Sequence, residues 1–309
     1  MQVVSVINYK GGVGKTTVTA NLGAELAWRG HRVLMLDLDA QASLSFSFIQ
    51  PDTWKNSYAD SRTIKTWFDS FDSSAIVPLS SLICNPGRAG RRLLKGEGKL
   101  HLLLSHLALI NVDLELATKL GGANLTQSKR NFINVHRRLA DGLGELCNDY
   151  DILLIDCPPN FNIVTKTAII ASNYILVPAV PDYLSTLGID YLIRSINTLV
   201  GEYNEYVHID GGVVAGEIDP KVLGVVFTMV QEYAGGPISA QRQFMDRIRS
   251  RGDLTIFDSY VKKNNSVFAD APMYGVPVVL THYSNRTYKG VVEGLESFAT
   301  EFQQTLGLV

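Results

Sequence analysis

Lys10-Gly11-Gly12-Val13-Gly14-Lys15-Thr16-Thr17 carries the residue types that grip a polyphosphate. An apolar, β-branched run from Val3 to Ile7 precedes it, and a helical stretch beginning Val18-Thr19-Ala20-Asn21-Leu22 follows. This is the strand–loop–helix setting of a phosphate-binding loop. Glycines let backbone N–H groups turn inward, and those donors together with the helix N-terminus attract anionic oxygens. In such a loop Lys15 reaches the β- and γ-phosphates and the Thr16 hydroxyl sits on Mg²⁺. The general pattern asks for glycine where Tyr9 stands, and a second lysine, Lys10, opens the loop instead.

Two further strands end in carboxylates. Val33-Leu34-Met35-Leu36 runs into Asp37-Leu38-Asp39, and Ile152-Leu153-Leu154-Ile155 runs into Asp156-Cys157-Pro158-Pro159. Ligands of parallel α/β sheets gather beyond the C-terminal strand ends, so Asp37, Asp39 and Asp156 are expected beside the loop. A hydrophobic strand ending in Asp is the Walker B arrangement, whose carboxylate holds Mg²⁺ through water. Cys157 reads as small strand-end packing rather than a nucleophile.

The loop resembles the deviant Walker A motif of the ParA/MinD ATPases, relatives of the nitrogenase iron protein, and is closest in kind to the ParA/Soj type. Asp37-Leu38-Asp39 and Asp156-Cys157-Pro158-Pro159 resemble that family's switch and Walker B segments. The resemblance implies a Rossmann-like, doubly wound α/β fold with a mostly parallel sheet. It implies that Lys10, Lys15 and Asp39 form the catalytic group. Lys10 would reach across a homodimer interface to the partner's nucleotide, and Asp39 would orient the attacking water. Residues Lys10, Gly11, Gly12, Val13, Gly14, Lys15, Thr16 and Thr17 would hold ATP; Thr16, Asp37 and Asp156 would serve Mg²⁺. Thr228 and Met229, at a later strand end, would lie near adenine. Lys262 and Lys263, which precede Ala269-Asp270-Ala271-Pro272, match the region where ParA dimers hold DNA without sequence preference; a solvated lysine pair is the alternative. The chain departs from the family at Ala40, Ala42 and Ser43, which replace Pro, Gly and Asn of the switch, and at Leu187, which replaces Glu.

The elements that must position these residues follow in order. The 309 residues are 46% hydrophobic and 19% charged, an ordinary globular composition with ample length for a full core. One P-loop ATPase domain over 1-309 is expected, with a less regular insertion at about 45–98. There, Trp54, Trp67, Phe68 and Phe71 suggest helical packing and Pro78, Pro86, Gly87, Gly90, Gly96 and Gly98 mark turns. Arg88-Ala89-Gly90-Arg91-Arg92-Leu93-Leu94-Lys95 reads as a solvated hairpin, with a basic loop on a phosphate backbone as the alternative. Leu100–Ser105 reads as a strand. Lys129–Leu146 reads as a long helix with Arg130, Arg137 and Arg138 on a solvated face. Further strands are expected at Tyr174–Pro178, Val222–Met229 and from Phe257. The last helix carries Val291, Val292, Leu295, Phe298, Phe302 and Leu306 on one face and is expected to pack on the sheet.

The net charge of −2 gives no global attraction to DNA or acidic lipid, so any such contact must be a local patch. Cys84, Cys147 and Cys157 form no metal-type spacing, and a reduced cytosolic setting follows. With the first strand starting at once, neither a signal peptide nor a preceding DNA-binding domain is expected, and no run is long enough to span a bilayer. The expected function is therefore an ATP-dependent, dimerising partition ATPase. It would be cytoplasmic, nucleoid-associated when ATP-bound, and stimulated by a ParB-like adaptor. A ParA-like positioner of a non-DNA cargo and a P-loop metabolic enzyme are the alternatives. A membrane-positioning ATPase would need a basic amphipathic tail, and an iron–sulfur protein would need a cysteine pair.

Overall fold

The structure, a computed structural model, describes residues 1–72, 76–93, 98–209 and 212–308. Its strands are β1 (Gln2–Val6), β2 (Arg32–Asp37), β3 (Ile83–Cys84), β4 (Lys99–Leu103), β5 (Ile152–Asp156), β6 (Tyr174–Ala179), β7 (His208–Ile209), β8 (Gly212–Val213), β9 (Lys221–Val230), β10 (Glu232–Tyr233), β11 (Gly236–Pro237) and β12 (Ile256–Lys262). Among the described residues, eight of them form one sheet in the order β12-β9-β6-β1-β5-β2-β4-β3. Every neighbouring pair is parallel except β3 on β4. The strand order reverses around β1, which places the β1–α1 loop at a topological switch point.

Helices cover both faces, which is why the strands read as near-continuous apolar runs. They are α1 (Lys15–Trp28), α2 (Ser43–Phe48), α3 (Pro51–Ser57), α4 (Ile64–Asp69), α5 (Gly87–Leu93), α6 (Leu109–Thr118), α7 (Leu125–Leu143), α8 (Ile163–Ala171), α9 (Tyr183–Tyr206), α10 (Ser239–Arg249), α11 (Asn265–Tyr274) and α12 (Arg286–Leu306). The two-residue period sorts each strand between two cores. Leu34 and Leu36 of β2 and Leu153 and Ile155 of β5 face α7, α8 and α9. Val33 and Met35, with Ile152 and Leu154, face α1 and α12.

The last helix packs on the sheet as its apolar stripe requires. Phe298 and Phe302 are 1% and 0% exposed, and each such burial is worth about 1.5–3 kcal/mol. Asn285 caps α12 by accepting the Thr287 N–H, and Gly307 ends it at φ 69°. Glu301 of α12 accepts the N–H groups of Asp258 and Ser259 at 2.7 and 2.9 Å, satisfying donors that the edge strand β12 would otherwise leave open.

Three expectations need correction. Gly87–Leu93 is a helix, not a hairpin, and it buries Ala89 and Leu93. Leu94, Lys95 and Gly96 lie outside the described residues. The long helix α7 starts at Leu125, because Asn124 caps it by accepting the Gln127 N–H, and ends at Leu143 with a 3-10 turn to Leu146. Arg138 is not on a solvated face: its guanidinium stacks on Trp67 at 4.7 Å and Phe71 at 4.1 Å and donates to the Trp67 carbonyl. Those aromatics come from α4 and the turn after it, and no periodicity within α7 announces them.

Candidate functional site

The β1–α1 loop turns on two glycines in the left-handed region, Gly12 at φ 72° and Gly14 at φ 81°. A side chain at either position would be strained. Gly14 stands directly before α1, so the first N–H groups of a buried helix open toward the loop. Asn8 shapes the entrance: its Nδ2 donates to the Pro178 carbonyl and its Oδ1 accepts the Lys10 N–H. Lys15 is 7% exposed, and its Nζ donates to the carbonyls of Asn8 at 3.1 Å and Lys10 at 3.3 Å. Burial pulls its pKa down, while Asp156 opposes that shift.

Across the sheet, Asp37 and Asp156 are register partners on β2 and β5. Asp37 Oδ2 accepts the Ser45 N–H at 2.7 Å and hydroxyl at 2.8 Å, and Oδ1 accepts the Asp39 N–H. Burial still pushes Asp37 up to about 7. Asp156 is raised too, by burial first and the neighbouring Asp37 next. Its Oδ2 accepts the Thr16 hydroxyl at 2.7 Å, while its buried Oδ1 has no partner among the described residues. A buried carboxylate pair with an orphaned oxygen beside a threonine hydroxyl suits a hard divalent cation taking oxygen ligands. Thr16 and Asp156 would hold Mg²⁺ there. Asp37, whose oxygens already accept from Ser45 and Asp39, would act through the ion's water shell.

The switch loop is pinned by its backbone. The Asp39 carbonyl accepts the Ser105 hydroxyl at 2.7 Å, and Asp39 Oδ1 accepts the Gln41 N–H. Ala42, which stands where the family has glycine, is fully buried at φ 53°, a conformation that costs a non-glycine residue roughly 1–2 kcal/mol. Asp39 lines a cavity of about 210 Å³ with Leu109, Ile110, Pro158 and Asn160.

Lys10 is placed elsewhere. Its Nζ meets Asp182 Oδ2 at 2.7 Å and Ser185 Oγ at 3.3 Å, at the N-terminus of α9. Asp182 is also the cap of that helix, accepting the Ser185 N–H. The structure thus gathers Lys15, Thr16, Asp37, Asp39 and Asp156 at the C-terminal sheet edge and turns Lys10 toward a neighbouring helix. Asn8, Ser45, Ser105 and Asp182 are the supporting residues that motif reading passed over. Only Asp182-x-x-Ser185, a helix-start pattern, left a local trace.

Thr228 is 2% exposed, and its hydroxyl donates to the Val13 carbonyl at 2.7 Å. It braces the phosphate loop from β9. Met229, at φ 52° and 38% exposed, lines a cavity of about 110 Å³ with Gly14, Thr17, Val261, Asn264 and Phe268. Thr228→Val keeps the shape and removes the donor, leaving a buried carbonyl unpaired at a cost of about 1–3 kcal/mol. The expected result is a lower melting temperature and weaker Mg-ATP stabilisation in thermal melts. An unchanged melting temperature would show that the hydroxyl does not brace the loop. Lys262 pairs with Glu232 at 3.0 Å, and the Lys263 N–H donates to the Val230 carbonyl.

A mostly parallel, doubly wound sheet with a glycine loop and strand-end carboxylates at its switch point defines the class of P-loop NTPases. The AAA domain family AAA_31 matches residues 1–209, and the chain belongs to that family. Within it the chain is of the ParA/Soj type. It is 27% identical over 283 residues to the chromosome partitioning protein ParA of Caulobacter vibrioides, covering 91% of this chain and 87% of that one. It is 24% identical over 281 residues to the sporulation initiation inhibitor protein Soj of Bacillus subtilis, covering 90% of each. A match 31% identical over 207 residues, to a candidate replication protein A of Rhizobium rhizogenes, spans 65% of this chain but only 46% of that longer protein. An uncharacterised Methanocaldococcus jannaschii protein is matched over 66% of its length.

Among solved structures, an ATP complex of a McdA variant from Cyanothece has a TM-score of 0.69 at 19% identity, covering 99% of this chain and 96% of that one. Cobyrinic acid a,c-diamide synthase from Mycobacterium smegmatis, with an ATP analogue and magnesium, has a TM-score of 0.67 at 21% identity, covering 97% and 93%. At these identities the likeness is one of fold.

Proposed function

We propose that this chain is a Mg²⁺-dependent ATPase that closes into a homodimer around ATP, holds DNA without sequence preference in that state, and serves plasmid or chromosome partition. The observation that carries the reading is the convergence of Lys15, Thr16, Asp37, Asp39 and Asp156 on one sheet edge, with Lys10 held beside it on Asp182.

Lys15 neutralises the β- and γ-phosphate oxygens, and the N–H groups of Gly11 to Thr17 cradle them. Mg²⁺, when bound, offsets the charge that develops on the transferring phosphoryl group. Asp39 orients the attacking water. Lys10 leaves Asp182 and is delivered to the partner's nucleotide as a point charge, in the manner of an arginine finger. Around the site Ile110, Leu114, Tyr183, Leu184 and Leu187 are 50–71% exposed, an apolar rim that suits burial against a second copy. Thr228 and Met229 border the space for adenine. Lys262 and Lys263 contact the DNA backbone, and a ParB-like adaptor stimulates hydrolysis. The chain works in the cytoplasm, on the nucleoid when ATP is bound. No described helix is long and apolar enough to cross a membrane.

Binding to random-sequence duplex DNA with ATP, with ADP and with no nucleotide, at two salt concentrations, tests this. Tight binding confined to the ATP form and weakening steeply with salt is the expected result. ATP-induced dimers that ignore DNA in every condition would remove the DNA track and favour a non-DNA cargo.

A further inference from the structure

Two grooves meet on the face formed by α5, α12 and the end of β12. One, about 600 Å³, is lined by Arg91 and Arg92 of α5, by His282, and by Lys289, Glu293 and Glu296 of α12. The other, about 670 Å³, is lined by Lys262 and Lys263 at the end of β12 and by Arg286, Lys289, Glu232 and Glu293. Lys289 and Glu293 line both, so the grooves adjoin. Together they gather six Lys and Arg side chains against three carboxylates. The chain as a whole has 28 basic residues against 30 acidic ones, so this local excess runs against its own balance.

One of these cations, Lys262, lies along α12. A methyl group added at Gly290 of α12 would come within 3.5 Å of Lys262 Nζ, and one at Gly294 within 3.9 Å of its Cε. Both are ordinary van der Waals distances, so the lysine stem runs within contact reach of α12. Glu232 holds that lysine: its Oε2 is 3.0 Å from Lys262 Nζ, while its Oε1 accepts the Tyr260 hydroxyl. Lys262, Lys263 and Asn264 also line the 110 Å³ cavity beside Gly14 and Thr17. One short segment is therefore a common wall of the basic groove and the nucleotide side.

We propose that these grooves are one surface for the phosphate backbone of duplex DNA, on which Arg91 and Arg92 of α5 and Arg286 and Lys289 of α12 extend the contact made by Lys262 and Lys263. The inference rests on the DNA-binding reading above. Arg91 and Arg92 come from the part of the chain where the family resemblance is loosest. Their exposed guanidiniums offer charge and no pattern matched to base edges, which gives affinity without sequence readout. Glu232 is the restraint: freeing Lys262 from it adds a cation to the surface without touching the phosphate loop.

The test uses the full chain with Mg-ATP and a random-sequence duplex labelled for fluorescence anisotropy, titrated across a salt series. Arg91→Gln with Arg92→Gln, and separately Arg286→Gln with Lys289→Gln, are each expected to bind more weakly and to lower the slope of log affinity against log salt by about 2, at roughly 0.9 per phosphate contact. ATP-induced dimerisation of both should match the parent chain. Glu232→Gln, which keeps an acceptor for Tyr260, is expected to tighten binding. If both double variants bind like the parent while Lys262→Gln with Lys263→Gln weakens binding, the extended surface is wrong and the DNA reading stands. If the parent chain binds no duplex in any nucleotide state, the DNA reading itself fails and this inference falls with it.

Discussion

Lys15→Ala is expected to abolish nucleotide-dependent dimerisation and to weaken Mg-ATP binding by at least about 100-fold. The magnitude follows from two lost charge-assisted hydrogen bonds to phosphate, each worth about 1.5–3 kcal/mol, where about 1.4 kcal/mol is a factor of ten. The geometry makes the variant clean. Among the described residues, Lys15 Nζ donates to the carbonyls of Asn8 and Lys10, so the ammonium is poised inside the loop rather than committed to a structural carboxylate. Thr228, Gly12 and Gly14 shape the loop independently of it. Titration calorimetry and sedimentation with Mg-ATP would measure both effects, with a thermal melt as the folding control. A tight ATP-dependent dimer from this variant would overturn the phosphate-loop assignment.

Asp39→Ala is expected to retain nucleotide binding, lose hydrolysis by about 10²–10⁴-fold, and accumulate as an ATP-bound dimer. That range is the usual contribution of a residue that positions or deprotonates an attacking group. The backbone supports the separation of the two effects. The switch loop is anchored through the Asp39 carbonyl to Ser105 and through Asp37 to Ser45, so removing the Asp39 carboxylate leaves both anchors in place. Only the turn contact to the Gln41 N–H is lost. Steady-state phosphate release together with dimer population by light scattering would show it. Hydrolysis at the parent rate would move the water-orienting role to another residue.

Both substitutions concern residues that were legible before any fold was known. The phosphate loop, the strand-end aspartates and most sheet strands follow from short-range causes: glycine tolerance of positive φ, apolar runs buried on both faces, and carboxylates at strand ends. Gly12 and Gly14 do adopt positive φ, and Asp37 and Asp156 do become register neighbours. Ala42 shows where local reasoning stops. Its departure from glycine is visible in the sequence, but the buried left-handed conformation it keeps is imposed by anchors at Asp37, Asp39 and Ser105.

The sequence by itself determined most strands of the sheet and the chemistry of the loop, because those depend on residue types a few positions apart. Tertiary structure alone decided that Lys10 rests on Asp182, 172 positions away, and that Thr228 braces Val13 across 215. It also decided that Arg138 stacks on Trp67 and Phe71, and that the basic residues of α5 and of β12 reach one surface through Lys289. The physical reason is the same in each case. A charge or hydroxyl specifies what it can bind, but its partner is set by which strand ends and helix faces the sheet order brings within about 3 Å, and no local pattern encodes that distance.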